Sequence, residues 1–335
     1  MNDFSPHNIT FIHTGAIGDL VQAAPLLRAI RAQWPDAHVT FIGRPERGAL
    51  LQMAALVDAV LDAETCGLWR LTGDGGGPLP RALAEADLVL DLLGLEGAAA
   101  LRARVVRLKP LPSDEWKSSA AEWLLAQARE VIALPAIPPE PVLPVSQAAL
   151  ESARAALAEK GIGGPFAAIH PGSGSARKNW PMERFELLAQ RIREQAGRQV
   201  VWLLGPAEME RPGAPAADAN DAVLADAPLE TVAGVLARAD VYIGNDSGVT
   251  QVAAAVRGPG GRATPTVALF GPTDARVWGP RGSHVRLLRP VRRSPKGEGG
   301  SPDGTMDTIG LEGVWSAVRE ALGEAASSGK AKPRD

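Results

Sequence analysis

The sequence predicts an α/β protein built from two successive doubly wound units, their parallel sheets facing a central cleft. Three observations carry this. The chain opens with a strand, a glycine turn and a helix within residues 9–31. β-rich runs then alternate with runs of helical spacing down the chain. A proline-rich stretch, LPAIPPEPVLPV at 134–145, interrupts that alternation near the middle, after which it begins again.

Each element has its reason in order. Ile9, Phe11 and His13 alternate with Thr10 and Ile12 as a strand does; TGAIGD at 14–19 forms a tight turn. From Leu20 the apolar residues Val21, Ala24, Leu27 and Ile30 fall on one helical face. HVTFIG at 38–43 reads as the second strand, 44–57 as turn plus helix, and 59–61 as a short strand. Residues 73–80 have the composition of a flexible loop, 81–86 of a helix, and 87–93 and 105–108 of strands. Residues 116–133 read as a helix, with Trp123, Leu124, Gln127 and Val131 at helical spacing. After the prolines, helix (147–160), strand (166–170), helix (182–195) and strand (199–204) repeat the theme. A helix at 229–238, a strand at 240–244, a helix at 249–256 and a strand at 265–270 continue it. A β-like triplet at 286–288, a loop at 293–305 and a last helix at 311–323 complete it. The expected domains are therefore 1–133, a linker at 134–147, 148–307, a C-terminal helix at 308–323 and a disordered tail at 324–335.

Composition narrows the function classes. The chain has 335 residues, 45% hydrophobic and 22% charged, enough for two domains with sizeable cores. A formal net charge of -3 gives no basic field for nucleic acid. The one cysteine, Cys66, excludes an intrachain disulfide and a cysteine-based metal site. The start, MNDFSPHNITF, lacks a signal-peptide pattern, and no apolar run reaches membrane-span length. The expectation is a cytoplasmic protein whose membrane contact, if it has one, is peripheral, on the inner face of the plasma membrane.

The candidate chemistry sits in turns that follow strands, where open α/β sheets bind ligands. Gly15 and Gly18 let backbone N–H groups approach a ligand closely, and the spacing G-x-x-G-D is not the dinucleotide fingerprint G-x-G-x-x-G. Asp19 has two readings: a first-turn carboxylate that complements the helix dipole, or a group that does chemistry. Gly172, Ser173, Gly174 and Ser175 form a small donor-rich loop, with Lys178 as a point charge for a phosphate. Asn245, Asp246, Ser247 and Gly248 lead into a helix start that suits a diphosphate, and capping by Asp246 or Ser247 is compatible with that. Glu208 is a candidate ribose acceptor, and Thr273 and Asp274 occupy one more strand-end turn. There is no D-x-D pair, no H-E-x-x-H and no histidine at metal-ligand spacing, so no metal or cofactor is expected. His170 ends a strand and reads as a packing residue. Arg102, Arg104, Arg107 and Lys109 form a basic run that suits either a solvated edge or an anionic headgroup.

Taken together, GAIGDLVQAAPLLRAI, HPGSGSARKNWP, LLGPAE, NDSGVTQVAAA and LFGPTD resemble glycosyltransferase family 9, the ADP-heptose:lipopolysaccharide heptosyltransferases and their relatives. The likeness runs in order from about residue 9 to residue 322. It implies a GT-B architecture, with acceptor on the first Rossmann-like domain and nucleotide sugar on the second. It implies inverting transfer without metal, from ADP-heptose to a lipopolysaccharide core or related glycan. By position, Asp19 would be the general base, and Gly15, Gly18 and Gln22 would lie on the acceptor side. Lys178 would contact the diphosphate and Glu208 the ribose. Gly172, Ser173, Asp246, Ser247, Gly248, Gln251 and Thr273 would complete the donor site. Gln251 stands where the family often has histidine, and Gln22 replaces a histidine seen in some members; glutamine hydrogen-bonds but carries no charge. The late loop lacks the cysteines that many members carry. The rival expectations are another nucleotide sugar as donor, a sugar-nucleotide-binding homologue without transfer, and an NAD-dependent oxidoreductase.

Overall fold

The computed structural model describes residues 4–68, 79–97, 101–205, 208, 218, 221–290 and 305–328. The chain divides into two compact units, Met1–Pro144 and Val145–Asp335, with the division inside the proline-rich stretch.

The first unit holds a five-stranded parallel sheet, β1 Asn8–His13, β2 His38–Gly43, β3 Ala59–Asp62, β4 Leu88–Asp91 and β5 Arg104–Arg107, in the order β3-β2-β1-β4-β5. β1 pairs in register with both neighbours, Ile12 opposite Ile42 on one side and Asp91 on the other. Its central place explains its buried run from Ile9 to His13. The helices are α1 Ile17–Gln33, α2 Pro45–Met53, α3 Arg81–Ala84 and α4 Ala120–Val131. α1 is buried on more than the one face that its spacing suggests: Leu20 through Leu27 are all covered. It also begins at Ile17, three residues before the expected start, so Gly18 and Asp19 lie within its first turn. α4 begins at Ala120 rather than 116, because the Ser119 hydroxyl accepts the Glu122 N–H at 3.2 Å and caps the helix there. Trp116 remains outside and packs edge-on against Trp123, with ring centroids 5.1 Å apart. The basic run falls on and beside β5, the sheet edge, where exposed Arg104 and Arg107 discourage further strand pairing. Arg104 also lies over the Phe4 ring, 4.3 Å from its centroid. The expected loop at 73–80 lies almost wholly outside the described residues.

The second unit repeats the plan with six parallel strands, β7 Phe166–His170, β8 Gln199–Leu204, β9 Ala222–Ala225, β10 Val241–Asn245, β12 Thr266–Leu269 and β13 Val285–Leu288. Two-residue strands, β6 Leu143–Pro144 and β11 Val256–Arg257, complete the numbering. The main sheet runs β13-β12-β10-β7-β8-β9. Counted within its unit, each sheet begins 3-2-1-4-5, the doubly wound order, and the second adds a sixth strand. Helices α5 Gln147–Glu159, α6 Met182–Ala196, α7 Leu229–Arg238, α8 Gly248–Ala255, α9 Ala275–Trp278 and α10 Leu311–Ser328 accompany it. The core beneath this sheet joins Trp180, Phe185, Trp202, Ile243, Val267 and Trp315. β9 and α9 are additions to the sequence reading, and α10 passes the expected end at 323 by five residues, through Ser328. Gly323 costs only about 1 kcal/mol in a helix, and the Glu-Ala-Ala that follows favours continuation. The expected loop at 293–305 falls outside the described residues except for Thr305.

Candidate functional site

The order of each sheet reverses at one place: between β1 and β4 in the first unit, and between β7 and β10 in the second. Ligands of doubly wound sheets bind beyond the carboxyl ends of the strands at such points. The candidates that follow β1, β7 and β10 fall there, whereas Glu208 follows β8 and Thr273 and Asp274 follow β12.

In the second unit, β10 ends in Asn245, whose buried side chain bridges the reversal. Its Oδ1 accepts the Trp180 N–H at 3.0 Å, and its Nδ2 donates to the Pro171 carbonyl at 2.6 Å. Trp180 is itself anchored: it meets Phe185 edge-on at 4.9 Å and donates its indole N–H to the Ile309 carbonyl at 2.9 Å. The loop after β7 is thus pinned at both ends, with Lys178 between them closing a single 3₁₀ turn, Ala176–Lys178. The Lys178 ammonium meets Asp246 Oδ2 at 2.8 Å, with the lysine side chain 31% exposed and the aspartate 9%. This ion pair holds a partly exposed cation on the residue just before the cap of α8.

α8 begins at Gly248, one residue before the expected start, with Ser247 as its cap: the Ser247 hydroxyl accepts the Thr250 N–H at 3.3 Å. The Thr250 hydroxyl in turn lies 2.8 Å from the Tyr242 hydroxyl and donates to the Asn245 carbonyl. Burial pushes the Tyr242 phenol well above its ordinary range, so it stays neutral. The backbone N–H groups of the first turn of α8 and the dipole behind them favour an anion there.

Other candidates hold the loops in shape. Ser173 is buried and saturated: its Oγ lies 2.7 Å from the Ser175 carbonyl and 2.6 Å from Asn179 Oδ1, and accepts the Ser175 N–H at 3.2 Å. It orders the loop. Gln251 is likewise buried and donates its amide to the Trp278 carbonyl at 2.6 Å, joining α8 to α9. Glu208 accepts the Gly205 N–H at 3.0 Å and lies directly over Gly172, where any Cβ would overlap its carboxylate. His170 donates Nδ1–H to the Leu203 carbonyl at 2.8 Å; burial holds its pKa below the usual value, so it packs as expected. Thr273 lines a cavity of about 580 Å³ beside Gly271, Asp274, Arg276 and Arg289. Asp274 caps α9 and pairs with Arg276 at 2.8 Å; that hydrogen bonding holds its carboxyl down to about 2.

In the first unit, Asp19 stands in the first turn of α1, beyond the end of β1. The turn before it is clamped by Arg47, which donates to the Thr14 carbonyl at 3.1 Å and also to the Gly15 carbonyl. Burial lowers the Arg47 guanidinium and Arg44 adds to that, while Glu46 and Asp19 oppose it, so Arg47 lies within the field of the Asp19 carboxylate. On the other side of the reversal Asp91 closes β4. It accepts the N–H groups of Leu93, Gly94 and Leu95 at 2.9, 3.0 and 2.8 Å, so its charge is spent on the loop. Gly18 and Gln22 follow on α1, Gln22 buried within it. The sequence reading gave no role to Arg47 or Asp91, and took Asn245 only as part of the turn leading into α8, not as the tie between loops. A polar residue closing an otherwise apolar strand was the available signal for Asn245 and Asp91. Arg47 had none, since its partners lie more than thirty positions away.

Among the described residues, no cluster of three or more His, Cys, Asp or Glu is placed to hold a metal, and no helix is long and apolar enough to cross a membrane. The family model described as glycosyltransferase family 9 (heptosyltransferase) matches residues 86–301. Lipopolysaccharide heptosyltransferase 1 of Pseudomonas aeruginosa is 35% identical over 136 residues, which cover 40% of this chain and 37% of that relative. The glycosyltransferase family 9 structure from Veillonella parvula superposes with a TM-score of 0.76 at 19% identity, covering 96% of this chain and 99% of that one. The Escherichia coli ADP-heptose lipopolysaccharide heptosyltransferase II structure gives 0.71 at 19% identity, covering 95% and 99%. Two parallel sheets in the doubly wound order, a clamped glycine turn before Asp19 and a lysine held at a helix start agree with the family match: the chain belongs to glycosyltransferase family 9.

Proposed function

We propose that this protein transfers heptose from ADP-heptose to the core of a lipopolysaccharide or a related surface glycan, with inversion and without metal. The observation that carries the reading is the Lys178–Asp246 pair beside the start of α8, because it sets a cation and a row of backbone donors where a diphosphate would leave. In this mechanism Asp19 takes the proton of the acceptor hydroxyl. That oxygen forms its bond to the anomeric carbon as the bond to the diphosphate breaks, and one displacement inverts the centre. The negative charge passes to ADP and is met by Lys178 and the helix start. Glu208, held by Gly205, accepts from the ribose hydroxyls; Gly172, Gly248 and Thr273 border the donor; Gly15, Gly18 and Gln22 border the acceptor. Ser173, Ser247 and Gln251 act by fixing these loops. The Lys178 charge takes the part that a divalent cation plays elsewhere. The expected location is the cytoplasm, with peripheral contact at the inner membrane through the basic edge of β5.

The test is calorimetric titration with ADP, UDP, GDP and NAD, then transfer from ADP-heptose to heptose-deficient lipopolysaccharide, with and without EDTA. Selective ADP binding and EDTA-insensitive transfer support the reading. Preference for UDP or GDP moves the donor away from heptose. ADP-heptose binding with no turnover favours a binding homologue, and NAD binding alone overturns the assignment.

A further inference from the structure

The first unit buries a titratable ring that the mechanism above does not use. His13 closes β1 and is 4% exposed. Its Nδ1 is sealed from solvent with no hydrogen-bond partner. One face of the ring stacks on Phe11, centroids 6.2 Å apart. The Cε1–Nε2 edge faces Gly15. A methyl group placed on Gly15 would lie 2.9 Å from His13 Cε1, 3.0 Å from Nε2 and 3.4 Å from Asp19 Oδ2. The imidazole edge and the Asp19 carboxylate therefore border one gap, which stays open because residue 15 has no side chain.

The position of the ring proton follows from the burial. A neutral imidazole carries one N–H. A sealed N–H without an acceptor is a rarer and costlier orphan than a sealed lone pair, so the proton resides on Nε2, at the gap. A second proton on Nδ1 would be sealed in the same way, and the Arg47 charge opposes it. Burial first and Arg47 second push the imidazole down to about 4. The gap thus presents an uncharged donor beside an anionic base. A charged imidazolium there would pair with Asp19 and blunt its basicity; a neutral one leaves the carboxylate's charge intact.

We propose that His13 is an acceptor-binding residue whose Nε2–H holds an oxygen of the sugar acceptor next to the hydroxyl that Asp19 deprotonates. The ligand class is a polyhydroxylated saccharide, whose adjacent oxygens match a donor and an acceptor bordering one gap. The inference rests on the reading of Asp19 as the base.

The experiment measures initial rates with ADP-heptose and O-deacylated, heptose-deficient lipopolysaccharide for wild type, His13→Leu, His13→Asn, His13→Gln and Asp19→Asn. Thermal melts identify the variants that fold. Leucine removes the donor, asparagine places its amide at the reach of Nδ1, and glutamine returns a donor at the reach of Nε2. The expected result is an acceptor KM raised about tenfold in the folded Leu and Asn variants, an unchanged donor KM, and recovery of most of the loss with Gln. Unchanged acceptor KM in Leu or Asn, or a Gln variant as impaired as Asn, overturns the role of His13. Should Leu not fold, the contrast of Asn with Gln decides alone. Asp19→Asn separates the two levels: full transfer by that variant, or no transfer by wild type, removes the underlying reading, whereas an inactive Asp19→Asn with unmoved His13 variants removes only this inference.

Discussion

Two residues show how burial and close approach set chemistry in this molecule. Gly172 admits the Glu208 carboxylate directly over its Cα, and a methyl there would overlap it. Gly172→Ala is expected to expel that carboxylate and strip the Gly205 N–H of its acceptor. If Glu208 holds the ribose as proposed, ADP affinity should fall about tenfold while pyrophosphate affinity holds, as read by calorimetry. Equal loss for both ligands would move Glu208 to the phosphates. His13 offers a test through pH. Its unfolded value is the ordinary 6.5 and its folded value about 4, so the unfolded chain takes up the proton first as pH falls. The stability tied to the neutral ring is complete above 6.5 and is lost as pH falls to 4, a change of about 3 kcal/mol. Denaturant unfolding of wild type and His13→Gln at pH 7, 5.5 and 4 should show wild type losing that increment relative to the variant. A pH-independent difference would mean that the ring is not held neutral.

At the scale of elements, the strands and the loops after them were readable, and the ties between loops were not. β2, β7 and β8 were read with their bounds because each is a short β-rich run bounded by turn residues. β9 was missed because AVLA is half alanine, a weak strand former, and only four residues long. The glycine turn, Lys178 and the Asp246–Gly248 turn were legible as candidates because small residues and charges stood after strands. Which of the candidates hold loops was not, since Ser173, Ser247 and Gln251 look alike in a motif and differ only in their partners. Asn245 is the clearest case, as it joins β10 to a loop more than sixty residues earlier. It must accept from Trp180 and donate to Pro171 at once, which an amide does from two separate atoms and a carboxylate does not. Asn245→Ala should cost about 2–4 kcal/mol in unfolding free energy by orphaning two buried backbone groups. Asn245→Asp should fail nearly as badly, because it sets a carboxylate oxygen against the Pro171 carbonyl. Near-wild-type stability of the Asp variant would show that only the bond from Trp180 matters.

At the scale of the whole chain, the two units have the same strand order but carry different chemistry at the reversal. The first puts an acid and a neutral imidazole around a clamped glycine turn; the second puts a lysine and helix N–H groups around a pinned loop. If donor affinity resides in one unit and proton abstraction in the other, the two functions should be separable by single substitutions. ADP at a hundredfold excess over its Kd should stabilise the folded second unit by about 2.7 kcal/mol. Hydrogen exchange should then slow in β7, the loop through Trp180 and the first turn of α8, with the first-unit strands unchanged. Lys178→Ala should remove most of that protection, because it deletes the cation that Asp246 holds beside α8. Asp19→Asn should keep the full ADP protection and lose transfer by a factor of about 10²–10⁴, the worth of a positioned base. Should Asp19→Asn also lose ADP protection, the carboxylate supports the donor site and the two sheets do not divide the labour. Should Lys178→Ala keep it, the α8 start binds the diphosphate through its backbone alone.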